Sequence, residues 1–103
     1  MEEIEVIYQG NVATDGSTKI FCTTTSLNIT NIVINNLGSN YVFNLNRIKN
    51  DSPVVSVPIY ELSLDAGDSI RDTNPYILYN SDYVQFISDV AGTTYYVKAT
   101  LEQ

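Results

Sequence analysis

The chain has 103 residues, of which 5 are Lys or Arg and 12 are Asp or Glu, and its formal net charge is −7. That length admits one domain, residues 1–103, and leaves no room for a second. The scattered cations (Lys19, Arg47, Lys49, Arg71, Lys98) form no cluster of the kind phosphate backbones require, so nucleic acid is not an expected partner.

Strand signals recur from one end to the other: β-branched and aromatic residues, period-two alternation, and Gly, Asn, Asp or Pro between runs. Ile4 to Val12 reads as a first strand and Asp15-Gly16-Ser17 as a turn. Thr18 to Thr24 is a second strand, with Ile20 and Cys22 on one face and Lys19 and Phe21 on the other. Leu27 to Asn35 is a third. Its Ile32-Val33-Ile34 run lacks polar alternation, which predicts cover on both faces. After the turn cluster Asn36-Leu37-Gly38-Ser39-Asn40, Tyr41 to Ile48 alternates cleanly, with Tyr41, Phe43 and Leu45 on one side.

Lys49 to Pro53 is a loop. Val54 to Leu64 is a strand broken by Pro58, whose missing N–H predicts an edge strand or a bulge. Asp65-Ala66-Gly67-Asp68 is a tight turn and Ser69 to Arg71 a short strand. Pro75 starts a Tyr-Ile-Leu-Tyr segment that ends in the turn Asn80-Ser81-Asp82. Tyr83 to Ser88 and Thr94 to Leu101 close the chain. In the last strand Tyr95, Val97, Ala99 and Leu101 share one face, so Tyr96 is the outward tyrosine. Seven or eight strands at this spacing predict a single all-β domain, a small antiparallel β-sandwich of immunoglobulin-like or jelly-roll-like kind.

The sequence contains no histidine, which removes the commonest general base and the commonest metal ligand. It has no phosphate loop, zinc spacing or nucleophile motif, so no enzymatic activity, catalytic residue or cofactor is expected. The single cysteine, Cys22, excludes an internal disulfide and reads as a buried structural thiol. Asp65, Asp68 and Asp72 have oxygen ligands at a spacing that suits calcium, although aspartates flanking a glycine turn more commonly hydrogen-bond the backbone. Asn28-Ile29-Thr30 and Asn50-Asp51-Ser52 match the glycosylation acceptor pattern by chance. The acidic start Met1-Glu2-Glu3-Ile4-Glu5 is not a secretory signal. No apolar run is long enough to span a bilayer, so no membrane partner is expected.

Eight tyrosines stand out. Tyrosine offers a large apolar area with a hydrogen-bonding tip and is favoured at interfaces. Tyr76 and Tyr79, beside Pro75, and the outward Tyr96 are the interface candidates. Glu2 and Glu3 are candidates for an arm that engages a neighbour. The same exposed tyrosines would suit a glycan-binding module, and the aspartate segment a calcium-stabilised adhesion domain.

Three segments carry a family resemblance. They are Ile29-Thr30-Asn31-Ile32-Val33-Ile34-Asn35-Asn36, Ser63-Leu64-Asp65-Ala66-Gly67-Asp68-Ser69-Ile70, and Asp82-Tyr83-Val84-Gln85-Phe86 with the Thr/Val-rich strand after it. Together they resemble small phage virion proteins found as decoration, head-fibre or tail-associated β-domains, over about three quarters of the chain. The chain departs from that pattern at Leu78-Tyr79-Asn80-Ser81-Asp82, with Asn80 where glycine is common, and in its polar middle loop. The resemblance implies a non-enzymatic virion structural protein, assembled in the host cytoplasm. It would bind other virion proteins, chiefly the major capsid lattice, or anchor a head fibre, with a homo-oligomer on the particle as one arrangement. A tail-associated or glycan-binding module is the alternative it leaves open.

Overall fold

A computed structural model describes residues 3–51 and 53–103. They form nine strands: β1 (Glu3–Asn11), β2 (Thr18–Phe21), β3 (Ser26–Asn36), β4 (Tyr41–Lys49), β5 (Val55–Leu64), β6 (Ser69–Asp72), β7 (Tyr76–Tyr79), β8 (Tyr83–Ile87) and β9 (Thr93–Glu102). One sheet has the order β1-β9-β3-β6, with β7 also pairing β3, and the other the order β2-β8-β4-β5. All pairings are antiparallel. The expected all-β sandwich is therefore what the chain forms. The two short segments at Ser69 and Tyr76 are both strands, which together complete one edge beside β3.

Alternation builds the core. Leu27, Ile29, Ile32 and Ile34 of β3, with Val97 and Ala99 of β9 beside them in the same sheet, face Phe43 and Leu45 of β4 and Val84 and Phe86 of β8, all essentially inaccessible to water. Burying side chains of this size is worth about 1.5–3 kcal/mol each. Val33 is only half-buried, on the outer face, so the apolar run at Ile32-Val33-Ile34 is covered on one face, not two. A bulge at Thr30, where the β3–β9 register shifts, keeps both halves of β3 in phase with the core. Cys22 is buried as a free thiol.

The proline strand shows both predicted features. β5 is an edge strand, and its register against β4 shifts between Leu45↔Tyr60 and Asn46↔Pro58, leaving Ile59 as the extra residue of a bulge.

The strands run between two ends. The upper end, where β3 finishes at Asn36, gathers the loops 12–17, 37–40, 65–68 and 88–92; the lower end gathers the other tight connections. Asn36 is fully buried at the upper end. Its Nδ2 donates to the carbonyls of Ser39, Leu64 and Asp65, and its Oδ1 accepts from the Gly38 N–H. Leu37 N–H donates to the Gly92 carbonyl at 2.8 Å, which brings two loops into backbone contact. A Cβ at Gly38 would lie 2.2 Å from the Ala91 carbonyl oxygen. Gly38→Ala must therefore push the loops apart, at a cost of about 1–3 kcal/mol. A fall in melting temperature of at least about 4 °C by thermal denaturation is expected.

Candidate protein-interaction site

Asp65 and Asp68 belong to the turn between β5 and β6. Asp68 Oδ2 accepts the Asp65 N–H at 2.9 Å, and Gly67 takes the left-handed conformation with φ 88° that the turn needs. Asp72 sits at the opposite end of β6, buried. The three aspartates do not converge, and among the described residues no group of three or more Cys, Asp or Glu could hold a metal ion. The three do not form a calcium site; the Asp68 and Asp72 carboxylates accept hydrogen bonds from the chain instead.

The Asp72 carboxylate instead ties the two sheets together. Tyr60 of β5 and Tyr76 of β7 both donate their hydroxyls to Oδ2, the second at 2.6 Å, and the Asn74 N–H donates to Oδ1 at 2.8 Å. A buried carboxylate requires such donors in place of water. Desolvation, then the hydrogen bond to Asp72, raises the Tyr76 hydroxyl pKa above its usual value. Tyr76 is half-buried, with its hydroxyl committed to Asp72. Nothing local in the sequence signals this, because Tyr60 lies 12 positions from Asp72.

The other tyrosine candidates face outward. Tyr79 is 54% exposed at the lower end of β7. Tyr96 lies on the outer face of the first sheet in the row Gln9–Tyr96–Val33–Arg71, while its neighbour Tyr95 stacks on Phe86 at 4.9 Å between centroids. Glu3 is exposed on β1, directly opposite Glu102. Glu2 lies outside the described residues.

Two surfaces that the sequence did not single out emerge from the topology. At the upper end, Asp15, Asp65, Asp68 and Asp89 are all exposed, and the loops that carry them contain no Lys or Arg. The Ser17 hydrogen bonds hold the Asp15 carboxyl below its usual pKa, so it stays charged. At the lower end of the β5 margin, Arg47↔Val57 and Lys49↔Val55 are cross-strand neighbours. Residues of such alternate pairs project from one side of the ladder. They line a cleft of about 190 Å³ in which both valines stay exposed.

No family model matches the chain, and no curated protein matches it. Among solved structures, it is similar to the core of the Drosophila protein NLP, described for pentamer formation and histone binding. The TM-score is 0.60 at 18% sequence identity, covering 93% of this chain and 98% of that one. At that identity the likeness speaks for the fold. It nonetheless overturns the virion reading: the architecture matched end to end is that of a core described for histone binding, not that of a phage virion protein. The strand and turn patterns behind the phage resemblance are common to many sandwiches.

Tyr60→Phe leaves the Asp72 carboxylate short of a donor, which should cost about 1.5–3 kcal/mol by chemical denaturation. Tyr76 should add a dependence on alkaline pH. Its pKa is higher in the folded than in the unfolded chain, so its contribution is intact below about pH 10 and fades as pH rises through the raised folded value. Denaturant midpoints measured on both sides of that value should fall for the wild type and fall less for Tyr76→Phe.

Proposed function

We propose that this chain is a non-enzymatic binding module that self-associates and presents an acidic surface to basic protein partners. The observation that carries the reading is the upper end, with four exposed aspartates on loops free of cations. Charge of one sign gathered at one end of a small domain raises the local concentration of oppositely charged partners and speeds their capture. The net charge of −7 extends that field over the whole molecule.

The fold likeness supports the same reading from a second direction, since the NLP core is described for both pentamer formation and histone binding. Self-association is supported further by apolar side chains left open at both lateral margins, Ile4 and Ile7 on β1 and Val55 and Val57 on β5. Side chains of this kind gathered at a margin mark protein contacts. Tyr79 and Tyr96 add amphipathic area to the outer face.

Core histones serve as the basic probe. Fluorescence titration at physiological salt should give saturable binding that weakens as salt screens the charges, the Debye length falling from about 8 Å at 0.15 M to about 3 Å at 1 M. Asp15→Asn, Asp65→Asn and Asp89→Asn combined should weaken binding by about tenfold or more, with the fold retained because Asn preserves the turn hydrogen bonds. No binding at micromolar histone, or equal binding by the triple variant, would sink the acidic-surface reading.

A further inference from the structure

We propose that copies of the chain join head to tail, the β1 margin of one seating on the Arg47–Lys49–Val55–Val57 cleft of the next, and that this contact closes a ring. The inference rests on the self-association proposed above and names the surfaces that would perform it.

Charge complementarity points to a second copy as the occupant. The cleft carries two of the chain's five basic residues, and among the described residues neither Arg47 nor Lys49 has a carboxylate in ion-pair range. At the other margin, Glu3 and Glu102 stand directly opposite one another in the β1–β9 ladder. Like charges in that position repel. Glu5, two pairs further on, is matched by Lys98 at 3.4 Å, while Glu3 and Glu102 have no cation beside them among the described residues. A guanidinium and an ammonium arriving from a neighbour would relieve that repulsion, the guanidinium through paired N–H donors.

The apolar surfaces correspond as well. Val55 and Val57 are about half exposed in the cleft, and Ile7, which shares the outer face of β1 with Glu3, is 50% exposed. Seating Ile7 on the two valines removes all three from water.

Placement decides the type of assembly. The Asp72 bonds put β5 over β6 and β7. At the other side, Ala13 N–H donates to Thr18 Oγ1 across the β1–β2 connection. The acidic margin and the basic cleft are therefore on opposite sides of the sandwich. Two different patches on opposite sides make a heterologous contact, which propagates until it closes. Both patches also lie at the lower end: Glu3 pairs with Glu102, which pairs with Ser26, and Ser26 pairs with Tyr79. From there Tyr79 N–H donates to Asp82, whose carboxylate also accepts from Asn50, next to Lys49. Contacts at equal height add no rise per subunit, which favours a closed ring over a helical filament.

The test is solution mass by multi-angle light scattering at micromolar concentration, with thermal melts to monitor folding. The wild type should be a defined oligomer. Arg47→Glu with Lys49→Glu, and separately Glu3→Lys with Glu102→Lys, should each be monomeric with the wild-type melting behaviour of the single subunit. All four changes in one chain should restore the oligomer, because the charges then match with signs exchanged. Should the reversed cleft fail to fold, Arg47→Gln with Lys49→Gln replaces it and should weaken assembly by about tenfold or more. An oligomer untouched by either paired change, or no recovery in the fourfold variant, overturns the inference while self-association stands. A monomeric wild type overturns both.

Discussion

An open sandwich has to leave unpaired backbone N–H and C=O groups at its margins, and those edges invite indiscriminate strand pairing. Most of this molecule follows from how the edges are handled. β2 is only four residues long, and the edge beside β3 is split into two four-residue pieces, β6 and β7. β5 is long, but Pro58 removes a donor and the Ile59 bulge twists the strand. β1 is different. It offers nine residues of edge without a proline or a bulge, and only Glu3 and Glu5 temper it. A long open edge that is charged but not blocked is what one expects of a surface meant for a chosen neighbour.

The second constraint is the polar content of the interior. Two buried groups sit where the sheets could slide apart: Asn36 at the upper end and Asp72 at the β5–β6 margin. Each is satisfied by partners from more than one element. Tyr41 and Thr93 add a hydroxyl pair at 2.5 Å between β4 and β9. Apolar packing tolerates small displacements, whereas these directional bonds do not, so they fix the relative placement of the sheets. Through them the distance between the two lateral margins is set, and with it the geometry available to any neighbouring copy.

Much of the fold was legible in the sequence because alternation reports burial directly. Tyr41 to Ile48, the Ile20/Cys22 face, the Tyr95/Val97/Ala99/Leu101 face and the Pro58 edge were all visible there, and each reflects a local rule. The site was far less legible. Asp72 looked like a calcium ligand because two aspartates precede it in sequence, while the tyrosines that occupy it arrive from other strands. Val33 looked covered because runs of aliphatics suggest two buried faces, yet its outward row holds Gln9 and Arg71. The resemblance to virion proteins rested on strand and turn patterns, which encode a sandwich and not a partner. The four aspartates of the upper end lie in three separate loops, and only strand direction reveals that they share an end.

That shared end acquires a further meaning in a ring of the proposed kind. With the contacts on the lateral margins, the ring axis runs along the strands, and every upper end faces the same way. Four aspartates per subunit then become a crown repeated around the axis. A partner with several basic segments would engage more than one subunit at once, and each engagement after the first would be intramolecular, raising avidity well beyond single-site affinity. Contacts at the lower end leave the crown unobstructed, so assembly and partner capture would not compete for the same residues. A chain of 103 residues, too small to wrap a large partner alone, gains by this division a surface that grows with the number of copies.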